Sequence, residues 1–228
     1  MEVERHILEG RLREGDHLPG ERRLAELLGV SRGGVREALR VLEALGVLTA
    51  GTGSGPEAGS IVAGNPSEAM TPLLRLHHAL SGFTVEEMVE TRIVLEGWAA
   101  REAARHRDAS SWRGLEQPLE AADDQDITTR HFVELDAQFH VGLAKASGNR
   151  LIGYFMQSLR DTMLSHMDQG FEELSDVRTV IASLRREHRE IYDQVRAGDG
   201  AKAAEHIERH IRSFYAGHIP RLRRPDRE

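Results

Sequence analysis

Three observations predict a mainly α fold. Apolar residues recur at helical spacing through 84–106, 110–122, 127–146, 149–168, 174–197 and 199–218, with no strand-like alternation across that span. Two short helical segments near the N-terminus are separated by only three residues, and a glycine-rich stretch after them leads into a brief strand-like run, Ser60-Ile61-Val62-Ala63. The first observation predicts an all-helical bundle. The other two predict a helix-turn-helix followed by a two-stranded wing.

The N-terminal pair lies in GDHLPGERRLAELLGVSRGGVRE, residues 15–37. Pro19 and Gly20 mark the start of its first helix, Leu24, Leu27 and Leu28 form the apolar face, and Gly29 supplies the stop. Ser31 is a good N-cap for a second helix running through Leu45, with Val35, Ala38, Leu39, Leu42 and Leu45 turned inward. In a helix-turn-helix the second helix enters the major groove by its N-terminus, so Ser31, Arg32, Gly33, Gly34 and Arg36 would meet bases and phosphates first. Arginine suits that position, because its planar fork matches guanine O6/N7 or a phosphate. Gly33 and Gly34 each cost about 1 kcal/mol of helix propensity, which suggests that the backbone must come close to DNA there. Ordinary packing of a helix pair with surface arginines is the competing reading. The expected wing, Thr49 to Gly59 and the strand after it, has no Arg or Lys at its tip, so its contacts would come from backbone amides around Gly51, Gly53 and Gly55.

The run ILEGRLREGDHLPGERRLAELLGVSRGGVREALRVLEALGVL resembles the N-terminal domain of GntR-family bacterial transcription regulators. The resemblance implies that the arginine of the LPxER segment and both arginines of SRxxVR contact DNA, which assigns Arg22, Arg32 and Arg36 here. Gly20 stands where the family usually has serine, and Gly33-Gly34 replace the frequent Thr-Pro pair.

Composition fits one or two globular domains: 228 residues, 39% hydrophobic and 29% charged. No apolar run reaches the length of a membrane span; no secretory signal and a cytoplasmic location are expected. With no cysteine, disulfides and thiolate metal sites are excluded. The net charge is -7, and the first 63 residues carry eight arginines against ten carboxylates. That balance disfavours a nonspecific nucleic-acid binder. A site-specific dimer tolerates it, because Arg22, Arg23, Arg32, Arg36 and Arg40 cluster and local potential governs the encounter. The expected division is a DNA-reading domain over 1–63, a hinge and connecting helix over 64–82, an all-helical effector, metal-binding and dimerisation domain over 83–222, and a tail over 223–228.

Several helical stripes of the second half turn ionisable residues inward. Phe132, Asp136, Phe139, His140 and Leu143 form one; Ile181, Leu184, His188, Ile191 and Val195 another; Ala203, Ile207, His210, Ile211 and Phe214 a third. Three inward histidines and an aspartate are costly to bury unless they satisfy one another, and a divalent metal would do so. Satisfied core polar groups, or chance among twelve histidines, are the alternatives. A fourth stripe, Val85, Met88, Arg92, Leu95 and Ala99, turns a guanidinium inward. It could hold a carboxylate ligand, or instead a salt bridge to Asp136 or Glu96.

The segments LDAQFHVGLAKASGN and EHREIYDQVRAGDGAKAAEHIERH resemble the FCD (FadR C-terminal) effector domain, in which an aspartate and three histidines often bind a metal. The resemblance implies Asp136, His140, His188 and His210 as ligands, with His206, one turn before His210, the position that could be mistaken for it. Without sulfur such a site suits Zn, Ni, Mn or Fe rather than copper(I). ETRIVLE resembles the family segment whose arginine contacts the effector, which implies Arg92, and Asn149 is a weaker effector candidate. The expectation is a homodimeric, metabolite-responsive regulator, a repressor and not an enzyme, that binds a pseudo-palindromic operator, a divalent metal and a small organic acid. A metal-dependent enzyme using the Asp/His set, and a purely structural metal, are the alternatives carried forward.

Overall fold

A computed structural model describes residues 2–51, 59–80, 82–106 and 109–218. The expected tip glycines Gly53 and Gly55 and the tail 223–228 lie outside the described residues. Two compact units divide between Met70 and Thr71.

The first unit contains α1 (Glu2–Leu8), α2 (Glu21–Leu28), α3 (Arg32–Ala44), β1 (Leu48–Ala50) and β2 (Ser60–Val62). Gly29 closes α2 in a left-handed conformation, φ 65°, and Ser31 caps α3 by accepting the Gly34 N–H at 3.1 Å. The two strands pair antiparallel, Leu48 opposite Val62 and Ala50 opposite Ser60. Leu18, Leu24, Val35, Leu39, Leu42, Leu48 and Val62 form one small core beneath the helix pair and hairpin.

Three apolar expectations for this unit are corrected. Leu27 and Leu28 are exposed and Ala25 takes the inward place beside Leu24, since a two-turn helix meets its neighbour through its middle and its last turn ends at Gly29. Leu45 is 62% exposed, because it is the C-cap of α3 and the chain reverses at Gly46. Gly46 has φ 65°, and a Cβ there would stand 2.6 Å from the Ala69 Cβ, so glycine is required on two counts.

Helix α4 (Ser67–Ala79) runs across the division between the units. The second unit continues with α5 (Val85–Arg105), α6 (Ala109–Ala122), α7 (Thr129–Ala146), α8 (Arg150–Glu172), α9 (Val177–Ala197) and α10 (Gly200–His218). The fold is the expected mainly α one, with the two-stranded sheet confined to the first unit among the described residues. Thr84 and Glu87 form the expected capping box of α5, and Gly148 and Gly198 end α7 and α9 with φ 77° and 79°. Helix α8 runs four residues beyond the expected 168, because Phe171 inserts between Phe132 and Phe214 at ring separations of 6.2 and 5.5 Å.

Helix α7 packs against α5, α6, α8 and α9, and α10 lies along α5 and α9. Close approach depends on small residues: a Cβ on Gly142 of α7 would stand 2.5 Å from the Gly114 carbonyl of α6, and one on Gly200 would stand 2.8 Å from the Arg101 Cα. Helix α7, the most central, carries the buried Asp136 and His140.

Candidate functional site

Helix α7 supplies Asp136 and His140, α9 supplies His188 and α10 supplies His210; all four are buried. One ligand-type atom from each lies within 4.8 Å of all the others. The Nε2 atoms of His188 and His210 are 3.2 Å apart, those of His210 and His140 are 3.3 Å apart, and His188 Nε2 is 3.2 Å from Asp136 Oδ1. Ligands about 2.1 Å from a tetrahedral zinc would stand about 3.4 Å from one another. The spacing fits a single ion.

Two carboxylates behind the imidazoles orient them. His140 Nδ1 meets Glu96, and His210 Nδ1 lies 2.8 Å from Glu187 Oε2. An N–H donated outward to a carboxylate leaves the Nε2 lone pair facing the cluster, the arrangement a metal requires. Burial pushes the His210 imidazole down to about 4 against the opposing pull of Glu187, and burial likewise lowers His188. Both are held neutral, ready to ligate. Burial alone would raise the Glu96 and Asp136 carboxyls. Arg92 overrides it for Glu96 and Arg160 for Asp136, so both acids stay ionised.

Arg160, on α8, is fully buried and was not anticipated. Its Nη2 donates to Asp136 Oδ2, while Nε and Nη1 have no hydrogen-bond partner among the described residues. A buried guanidinium with two idle donors beside a ring of metal-type ligands is poised for an anion. The adjoining cavity, bounded by Arg92, Asp136, His140, Arg160, His210 and Tyr215, holds about 10 Å³, room for a single water-sized group. An organic acid would enter only with a side-chain rearrangement.

The other effector candidates sit differently. Arg92 is buried as its stripe implied, and it forms one of the two salt bridges weighed for it: Nε donates to Glu96 Oε1 at 2.8 Å, and Nη1 donates to the Tyr215 hydroxyl at 3.0 Å. It reaches the cavity wall already engaged. Asn149 caps α8, its Oδ1 accepting the Leu151 and Ile152 N–H groups, and it is exposed and outside the cavity lining. His206 pairs with Glu190 at 3.3 Å, outside the cluster. Arg160 and Glu96 left a usable trace in the sequence. Arg160 continues the inward sequence Met156, Met163 and Met167 at helical spacing, and Glu96 follows Arg92 by one turn.

In the first unit, Arg22, Arg32 and Arg36 are all exposed. Arg22 stands 3.8 Å from Glu26. Arg36 is held by Glu21, donating through Nε at 2.9 Å and Nη2 at 2.8 Å, and its proximity keeps the Glu21 carboxyl low. Ser31 is occupied as a cap. Around Gly33 only the Ser31 hydroxyl, at 4.0 Å, comes near the place a Cβ would occupy, so the first turn of α3 is open to an approaching surface. The hairpin closes with Gly51 N–H donating to the Gly59 carbonyl at 2.9 Å.

Residues 1–57 match the model of the gntR family of bacterial regulatory proteins, and residues 87–213 match that of the FCD domain. The Glc operon transcriptional activator of Escherichia coli K12 is 30% identical over 198 residues, covering 85% of this chain and 76% of that protein. The HTH-type transcriptional regulator LutR of Bacillus subtilis is 29% identical over 206 residues, 90% of this chain and 92% of its own. The chain belongs to the GntR family, in the branch that carries an FCD domain. It is a transcription regulator of that family. Among solved structures, Streptococcus agalactiae GntR shares the fold with a TM-score of 0.66 and 24% identity, covering 94% of this chain and 96% of that one.

In this GntR-family regulator the Asp136, His140, His188 and His210 cluster, Arg92 and Arg160 all fall within the FCD match, and Arg22, Arg32 and Arg36 fall within the gntR match. Among the described residues no helix is long and apolar enough to cross a membrane.

Proposed function

We propose that this GntR-family chain is a metabolite-responsive, operator-binding homodimer whose FCD half holds a divalent metal through Asp136, His140, His188 and His210, and a small carboxylic acid beside it. One observation carries the reading: four ligand-type atoms share a space 4.8 Å across, next to an arginine with two unpartnered buried donors. The metal, one of Zn, Ni, Mn or Fe, would supply a fixed positive charge and open coordination positions. Arg160 would bind the acid's carboxylate by replacing idle donors with charge-assisted hydrogen bonds, and Arg92 would back the cavity from α5. Glu96 and Glu187 hold the imidazoles in the ligating orientation. Arg22, Arg32 and Arg36 would contact operator DNA, with Ser31, Gly33 and Gly34 shaping the approach. A dimer would read two half-sites of a pseudo-palindrome.

Repression is the expected sign, against the activator role in the name of one relative. The effector and the operator lower each other's affinity by the same factor if the acid releases DNA. The deciding experiment titrates operator DNA at fixed salt with metal-loaded and metal-stripped protein, with and without a panel of short mono- and dicarboxylic acids. The reading requires an acid that shifts operator affinity only when metal is bound. A second reading, a purely structural metal, is favoured by the 10 Å³ cavity; stripping would then lower thermal stability while no acid changed operator affinity.

A further inference from the structure

A second pair of imidazoles lies away from this cluster. His78, in the last turn of α4, and His166, on α8, bring their Nε2 atoms to 3.2 Å, the separation found between the histidines of the Asp/His cluster. The rings meet edge-on at a centroid distance of 5.0 Å, and each residue is half-buried. His78 Nδ1 lies 2.9 Å from the Phe83 carbonyl, which can only accept, so the proton of a neutral His78 sits on Nδ1 and its Nε2 presents a lone pair to His166.

That arrangement leaves His166 without a satisfied neutral form. With its proton on Nε2 it can donate to His78, but its buried Nδ1 then lacks a hydrogen-bond donor. With its proton on Nδ1, two lone pairs face each other at 3.2 Å. A cation between the Nε2 atoms turns the second case into a favourable one, with both imidazoles ligating and His78 braced from behind by a backbone carbonyl. Burial, then the neighbouring His78, lower the His166 pKa against the backbone of Thr162, which keeps the ring in the neutral form a metal binds. The two helices are already tied nearby, where Arg75 Nη2 donates to the Asp161 carbonyl at 2.6 Å.

We propose that His78 and His166 form a second site for a borderline transition-metal cation, Zn(II) or Ni(II), completed by water and clamping the end of α4 to α8. Imidazole nitrogen suits these ions, whereas magnesium and calcium prefer oxygen. With two protein ligands instead of four, the site fills only at higher free Zn(II) than the Asp/His cluster.

The test is equilibrium dialysis of the full chain against buffered Zn(II), with metal per chain read by elemental analysis. Wild-type protein is expected to take up a tight equivalent and then a weaker one. His78→Gln and His166→Gln each lose the weaker equivalent and keep the tight one, and His188→Ala loses the tight one and keeps the weaker. His77→Gln, next to the pair and exposed, keeps both. A wild-type chain that saturates without the weaker equivalent, a weaker equivalent that survives His78→Gln and His166→Gln, or one that also disappears in His77→Gln overturns the proposal. Because the two equivalents are lost in different variants, failure of this site is distinguishable from failure of the proposed metal cluster.

Discussion

Arg160 and Asp136 form a buried ion pair in which one carboxylate serves two masters: Oδ2 accepts from the Arg160 guanidinium while Oδ1 lies 3.2 Å from His188 Nε2. The acid is thereby kept ionised by a cation on one side and turned toward a metal position on the other. Without that pair, burial would favour the protonated acid.

Replacing Arg160 with methionine strands Asp136 as an uncompensated buried charge. Loss of one partner of a buried pair costs about 3–5 kcal/mol, so the metal-free variant is expected to unfold well below wild type. Saturating Zn(II) should recover much of the difference, since the ion stands in for the missing cation. Thermal unfolding of both proteins with chelator and with Zn(II) checks this, and equal stability in chelator would contradict the assigned role of Arg160.

Metal loading should stabilise the wild-type fold by mass action, about 2.7 kcal/mol at a free-ion concentration a hundred times Kd. His188→Ala removes a ligand from α9, and the stabilisation should fall sharply. The measurement is the shift of the unfolding midpoint with added Zn(II) at the Asp/His cluster's saturating concentration, and a His188→Ala shift equal to wild type is the adverse result.

Acid should destabilise the metal-free protein. The folded His210 imidazole titrates near 4, pushed there by burial from an ordinary value of 6.5, so between those values the unfolded chain binds more protons. The His210 contribution is fully present above about pH 6.5, is lost as pH falls toward 4, and amounts to about 3 kcal/mol. Urea midpoints in chelator should therefore be lower at pH 5 than at pH 7.5. Constant midpoints across that range would show that His210 is not held neutral by burial.

Arg32→Ala should weaken operator binding by about 1–3 kcal/mol if the side chain reads a base, without changing the unfolding midpoint. Arg32 is exposed and takes no part in the small core of its unit. Unchanged affinity in a salt-controlled titration would remove Arg32 from the interface.

Gly142→Ala tests the α6–α7 approach. The new methyl would stand 2.5 Å from the Gly114 carbonyl, and helix separation should cost about 1–3 kcal/mol. Because α7 carries Asp136 and His140, metal affinity is expected to fall with stability; a neutral substitution would show that the two helices separate freely.

The long helices of the FCD half were legible because their stripes are strongly periodic and their caps, Thr84 with Glu87 and Gly198, are local signals. The inward turn of Asp136, His140, His188 and His210 was legible for the same reason, since each interrupts an otherwise apolar face. Their convergence was not, because spacing within one helix says nothing of the angle at which α7, α9 and α10 meet. Arg160 lies in a methionine-rich stripe on α8 that otherwise reads as plain apolar core. A polar residue just before a helix is first of all a cap, and the Asn149 Oδ1 is spent on Leu151 and Ile152. Leu27, Leu28 and Leu45 show the corresponding limit for a small domain, where helix ends leave apolar side chains in water.

Anomalous diffraction from crystals of Zn(II)-loaded protein, collected on both sides of the zinc edge, asks the central question most directly. A strong peak about 2.0–2.2 Å from an Asp136 oxygen and from nitrogens of His140, His188 and His210 is the expected result. A fully loaded crystal with no peak among those four side chains would contradict the account.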